Sequence, residues 1–374
     1  LQCEAHFGNG QPVPLDTRAQ LRQALARLAE RGLGLICGLE VEFHVYRLRA
    51  DPGLDPHRAD WPGPAPEVEM IHPGYHLLSE NALDQCDEPL RIIGQTAQAL
   101  GLPLASLEIE LGPSQVEAVF EPTDALTAAD QMVLFRSAVR QALRRAGYLA
   151  TFMCRPPFAQ VMSSGWHLHQ SLVYLATGEN AFMRPQAHPD AGPGDARQRL
   201  SDLGCHYLAG LLEHARATAA LCTPTINGYG RFRPHAMAPQ SVGWGRDHRG
   251  ALLRVIAQPG DGASRIENRL GEPAANPYLY MASQIHAGLH GIDARSLPEP
   301  SQDLAPHPPA GSSRALPTGL GPALQALEAD PVLIDGFGRS FMDYYLGVRR
   351  HELARFDAAE DKLEFERREY FARL

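Results

Sequence analysis

The chain has no dense Lys/Arg block, and its 34 basic residues are outnumbered by 43 acidic ones, for a formal charge of −9. A nucleic-acid partner is therefore not expected. No apolar run is long enough to span a bilayer, so no membrane partner is expected either. No charged n-region followed by an apolar h-region opens the chain, and the first residue is Leu1 rather than Met. This reads as a cytoplasmic protein whose true N-terminus lies upstream. The six cysteines, Cys3, Cys37, Cys86, Cys154, Cys205 and Cys222, are scattered without CxxC spacing. Free thiols in a reducing compartment are the reading, not a disulfide frame or a zinc knuckle. There is no Walker A loop, so any phosphate handling must rest on metals and arginine. No GxSxG motif or Cys/His pairing points to a covalent nucleophile.

What remains is an ordinary globular composition over 374 residues, enough to bury a large core. Residues 17–31 have helical periodicity, with Asp16 or Thr17 as N-cap and Gly32 as the stop. Helices are also expected over 87–100, 126–146, 197–221 and 275–292, and from about 320 onward. Strands are expected at LGLICGLEVEFHVY, 104–111, LATFMCRPP, WHLHQSLVY, ALLRVIAQ and SRIENRLG. Residues 51–73 and 297–319 read as loops. Mixing of elements without a strict βαβ rhythm favours the α+β class over a doubly wound sheet.

Four clusters carry chemistry. Glu40 and Glu42 in GLEVEF share one strand face, about 7 Å apart along the strand. Like charges on an otherwise apolar strand are costly unless a cation compensates, and a divalent ion does this well. Glu108 and Glu110 alternate on a second strand, and a Gly-Pro turn can fold Glu117 back toward Glu110. His167 and His169 share a strand face in GWHLHQS, followed by Ser171, and imidazole can ligate transition ions. A run of arginines follows: Arg231, Arg233, Arg246, Arg249, Arg254, Arg265 and Arg269. Arg forks suit carboxylates and phosphates. In SRIENR, Arg265, Glu267 and Arg269 fall on one face, and a carboxylate between two guanidinium groups stays ionised. Each cluster alone is more often a solvated or structural feature. Together they describe a site for divalent metals, polyphosphate and a second anion.

The blocks GLEVEF, ELGPSQVE, ATFMCRPP, SGWHLHQS, NGYGRFRP, APQSVGWGRDHR, RIENR and AANPYLYMASQIHAGLHGI, in that order, resemble glutamine synthetase. The closing ERREYFARL resembles the family's C-terminal helix. The resemblance implies a curved antiparallel sheet flanked by helices over residues 17–374, with residues 1–16 as the tail of an N-terminal β-grasp-like domain. It implies ATP and two Mg²⁺ or Mn²⁺ ions. One metal would use Glu42, Glu110 and Glu117; the other would use Glu40, His167 and Glu267. His169 and Ser171 would help hold the nucleotide, Arg249 and Arg254 would meet its phosphates, and Arg231 and Arg269 would meet glutamate. A carboxylate attacks the γ-phosphate in this family, and an amine then attacks the acyl phosphate. A ring-shaped homo-oligomer, commonly a dodecamer, is implied as well.

Two departures set this chain apart. The family's flap glutamate, which helps bind and deprotonate ammonium, is replaced by Met237. The Asn-Gly that contacts glutamate is replaced by Met162 and Ser163. A thioether offers ammonium neither a compact anion nor a base. The segment APQSVGWGRDHR is similar to the γ-glutamylpolyamine synthetase branch, where the flap glutamate is also absent. The expected activity is thus ATP-dependent joining of glutamate to an alkyl-, poly- or arylamine, with Met237, Met162, Tyr75 and Trp244 lining the amine pocket. The alternatives are a true glutamine synthetase using ammonia, a catalytically silent relative, and a guanidino kinase. The last should carry a reactive cysteine near the site.

Overall fold

The computed structural model describes residues 2–49, 57, 60–232, 237–246, 248–303 and 315–374. Arg233, together with residues 51–56, 58–59 and 304–314 of the two expected loops, lies outside the described residues. The spine is β1 (Leu33–Leu48), a 16-residue strand with near-perfect alternation of burial over its first half. Leu35, Cys37, Leu39, Val41 and Phe43 point into the core at 2% exposure or less. The intervening positions, Glu40 and Glu42 among them, must then point to the opposite face.

Around β1 the sheet runs β3 (Leu104–Ile109), β4 (Gln115–Asp124), β1, β6 (Trp166–Tyr174), β9 (Arg265–Gly271), β8 (Leu253–Ile256), β7 (Trp244–Gly245). Two short strands, β2 (Val68–Met70) and β5 (Tyr148–Thr151), pair with the C-terminal half of β1. Among the described residues all pairings are antiparallel except β7 with β8, so the expected antiparallel sheet is mixed only at that edge.

Beneath the core face lies α4 (Ala125–Arg145), capped by Asp124, whose side chain accepts from the Thr127 amide. Its Phe135 meets Phe43 and Phe120 edge-on, and Phe43 stacks on Phe152 at 4.8 Å. This aromatic layer fixes which side of β1 is down; truncating one such ring costs about 3–5 kcal/mol. α1 (Thr17–Ala29) is capped by Asp16 and stopped at Gly32, whose φ of +70° is in the left-handed region. α7 (Pro277–Ala294), almost wholly buried, packs against α5 (Asp202–Glu213) and α1. The expected helix over 197–221 is broken into a 3-10 turn, α5 and α6 (Ala215–Cys222). α8 (Leu320–Glu328), α9 (Pro331–Phe337) and α10 (Arg339–Ala358) then close the fold. All six cysteines are free, and five are buried. No described helix is long and apolar enough to cross a membrane.

Candidate active site

Strand register brings the site together across one face of the sheet. Glu117 on β4 is paired with Glu108 on β3 and with Glu42 on β1. Glu40 on β1 is paired with His167 on β6. His169 is paired with Glu267 on β9, and Glu267 in turn with Arg254 on β8. Directly paired residues share a face. A row of acids, two histidines and an arginine therefore crosses six strands.

The row falls into two halves. In the first, Glu42 accepts from the Gly165 amide at 2.7 Å and from Gln115 Nε2 at 3.1 Å. Glu110 sits just past the end of β3, where its Oε2 accepts from the Leu111 amide. Burial raises the Glu42 carboxyl to about 7, with Arg231 opposing the shift and Glu110 adding to it. Burial also raises Glu110. Burial, together with the charges of Glu40, Glu42, Glu110 and Glu108, pushes Glu117 up to about 10. These acids have too little positive charge around them to ionise together.

The second half is arranged differently. Glu267 is fully buried, yet Arg254 Nη1 and Arg269 Nη1 each approach it at 2.5 Å. Burial works against its charge, but His167 and the arginines hold its carboxyl below the usual range. Glu40 is likewise held low: burial is outweighed by its contacts with His167 and His169. Arg265 Nε donates to His169 Nδ1, which leaves His169 Nε2–H to donate to Glu40 at 2.9 Å. Ser171 lies two residues further along this face of β6, opposite Ile36. Arg249 lies on an exposed turn, close enough for its charge to lower Glu110.

His167 joins the halves. Its Nδ1 lies 3.3 Å from Glu40 Oε1 and 4.0 Å from Glu267 Oε1, buried and without a hydrogen bond. Burial lowers its pKa to about 4, so the ring is neutral; Arg231 Nη2 can only donate and takes the Nε2 lone pair, so the one ring proton sits on Nδ1 and would have to leave for an ion to bind there. Ligand atoms of Glu40, His167 and Glu267 lie within 4.8 Å of one another, and so do those of Glu42, Glu117 and His167. An orphaned buried imidazole nitrogen, beside carboxylates that cannot all ionise unaided, is what two adjoining divalent-ion positions require.

A match to the glutamine synthetase catalytic domain runs over residues 14–368. The chain belongs to the glutamine synthetase family. It is 41% identical to a γ-glutamylanilide synthase of Acinetobacter sp., over 99% of this chain and 74% of that protein. Identity to the glutamine synthetase of Thermus thermophilus is 32%, over 94% of this chain and 75% of that protein. A solved structure described as a GmaS/ADP complex superposes with a TM-score of 0.77 at 29% identity, covering 98% of this chain and 79% of that one.

The structure also locates the remaining expected residues of this glutamine synthetase fold. Met162 packs on the turn after Glu110: a Cβ on Gly112 would fall 2.7 Å from Met162 Cβ and 2.4 Å from Gln115 Oε1. Tyr75, half-exposed with φ of +58°, donates its amide to Leu111 O on the same turn. Met237 is 54% exposed at φ of +51°, so it is not packing filler within this chain. Trp244 does not join them. It is 2% exposed, its Nε1 donates to Glu299 O, and it lines a separate cavity with Leu212 and Pro298. Its ring is buried on β7, at the opposite edge of the sheet from the β3 end where Met162 and Tyr75 meet the Glu110 turn. Arg231 is buried as well: Nη1 donates to the carbonyls of Arg269 and Gly271, and Nη2 contacts His167 Nε2 at 3.2 Å. Most of its donors therefore position the ring and the strand end.

Sequence reasoning passed over Gln115, which holds Glu42, Ser164 and the Gly112 amide at once. It also passed over Gly165, where a Cβ would lie 2.5 Å from Arg231 Nη2 and 3.0 Å from His167 Nε2. The signal was present in GPSQVE and SSGWHLH. Cys154 lies behind Ser164, buried and donating to its carbonyl, and burial pushes its thiol up. A thiol kept protonated by burial is a poor nucleophile, and the match to the glutamine synthetase catalytic domain leaves the guanidino-kinase reading without support.

Proposed function

We propose that the chain is the catalytic domain of an ATP-dependent ligase that forms a γ-glutamyl amide from glutamate and an organic amine. The observation that carries this is the pair of ligand groups sharing His167, one in the under-compensated acid half and one beside the arginines. Glu42, Glu110, Glu117 and Glu40, His167, Glu267 are the residues that would hold Mg²⁺ or Mn²⁺. When bound, such ions would neutralise the acids and draw charge from transferring phosphate oxygens.

The chain's own groups do the rest. Arg249 and Arg254 are assigned to the nucleotide phosphates, where fixed guanidinium groups stabilise charge that spreads during transfer. Arg254 is pre-aimed by its bond to Glu267. His169 and Ser171 are assigned to the nucleotide. The free donors of Arg269 and Arg231 are assigned to the amino-acid substrate, whose side-chain carboxylate attacks the γ-phosphate. The amine then displaces phosphate from the acyl phosphate. Met162, Tyr75 and Met237 give this amine an apolar surround at the Glu110 turn. A neutral or weakly basic amine needs little help losing its proton, so the missing flap carboxylate is tolerable. Assembly into a ring-shaped homo-oligomer of dodecameric size, and work in the cytoplasm, belong to the same reading.

The test is phosphate release with ATP and glutamate against a panel of alkyl-, poly- and arylamines, with ammonium as reference. An organic amine should exceed ammonium in kcat/KM by at least about tenfold. Ammonium as the best nucleophile would overturn the reading in favour of a true glutamine synthetase.

A further inference from the structure

A second group of metal-ligating side chains lies outside the active site. It comprises Glu213 and His214 at the end of α5 and His290 near the end of α7. The two helices touch backbone to backbone: a Cβ on Gly210 would fall 2.1 Å from Ala287 O, and one on Gly291 would fall 2.1 Å from His206 O. That approach sets His214 Nε2 2.9 Å from His290 Nδ1, which is 3.5 Å from Glu213 Oε2.

His214 is itself held from behind. Asp330, the N-cap of α9, accepts from the Val332 and Leu333 amides with Oδ1 and contacts His214 Nδ1 with Oδ2 at 2.6 Å. Because the carboxylate can only accept, His214 Nδ1 must carry the proton. Its Nε2 is then left with a lone pair directed at His290. Carboxylate, histidine and open ligand position in line is how a second shell orients a metal-binding imidazole. His214 is 6% exposed, whereas the His290 side chain is 35% exposed, so an ion can reach the group from solvent.

We propose that Glu213, His214 and His290 form a binding site for a borderline transition-metal dication of the Zn²⁺ type, separate from the carboxylate-rich catalytic centre. Two imidazoles and one carboxylate select such an ion over Mg²⁺. A tetrahedral ion with Zn–N of about 2.05 Å holds its ligand nitrogens roughly 3.3 Å apart. The histidines need only part by about 0.4 Å, a small side-chain rotation of the exposed His290. The competing arrangement is a plain hydrogen-bonded chain from Asp330 to Glu213.

Metal-stripped full chain, supplied with excess Mg²⁺, is titrated with Zn²⁺ by calorimetry, and with Co²⁺ for its visible d–d spectrum. Wild type should bind one equivalent per chain that H290A loses, with affinity at that site falling by about 10²-fold. E213Q should fall between the two. Mg²⁺-supported turnover of H290A should match wild type, and its thermal unfolding should show that it folds. Identical Zn²⁺ stoichiometry and affinity in wild type and H290A would overturn the proposal and establish the hydrogen-bonded chain.

Discussion

The two halves of the active site use the same residue type in opposite electrical settings. On β4 and the outer part of β1, Glu42 and Glu117 are driven toward their protonated forms, to about 7 and about 10. On β9, Glu267 is deeper in the protein and yet ionised, because Arg254 and Arg269 flank it. Burial is therefore not what separates them; the local count of cations is. The first half is an unfilled demand for positive charge. The second has met that demand with protein groups.

The sharpest break of this contrast comes from the compensated half. Glu267→Ala should lower ATP turnover with every amine by at least about 10³-fold, read as phosphate release. It should also cost about 3–5 kcal/mol of stability, since the buried Arg269 guanidinium loses its carboxylate and the half-buried Arg254 loses an ion pair. Glu267→Gln separates the two effects: turnover should stay lost while circular dichroism shows a folded chain. Unchanged turnover in both would refute the assignment of Glu267.

In the under-compensated half the sign reverses. An acid whose pKa is raised on folding holds its proton in the native state while the unfolded chain has released it. Stability then falls as pH rises from about 4.5 toward the folded value. With chelator present, stability should fall through pH 5–9, by up to about 1.4 kcal/mol per pH unit for each fully differing proton. Glu42 should contribute up to about 7, and Glu117 across the whole range. Mg²⁺ should flatten this slope. Glu117→Gln should raise the metal-free Tm at pH 8 while weakening Mg²⁺ affinity by about tenfold or more. A Tm that rises with pH in chelator would mean that the acids are already compensated. The smallest effect is expected at the flap, where Met237→Glu should shift the ratio of ammonium to organic amine use by about tenfold.

Much of this was legible beforehand, for a simple reason. Alternation along a strand fixes faces, so Glu40 with Glu42, His167 with His169 and Arg265 with Glu267 and Arg269 could be grouped from spacing alone. Family resemblance supplied which groups meet. Spacing could not supply register across strands, which is why the pairings of Glu117 with Glu42 and of Glu267 with Arg254 emerged only in three dimensions. It also could not say which donors are already spent. Arg231 looks available in the sequence but gives its Nη1 to two carbonyls. Trp244 looks like a pocket wall but sits in the core, since an aromatic in a Gly-rich stretch reads the same either way. Gln115 and Gly165 act by what they hold or leave room for, and neither residue type announces that in a one-dimensional pattern.

Strand β1 has a consequence for motion. Leu33–Leu48 is bonded on both sides along its length, to β4 and β2 on one side and to β6 and β5 on the other. Its amide protons should be among the slowest in the chain to exchange with deuterated solvent, released only when the entire domain opens. Glu40 and Glu42 ride on that strand. Under the proposed function, amines of different size would be met by rearrangement around Tyr75, Met162 and Met237, over a floor held still by its neighbours on both sides.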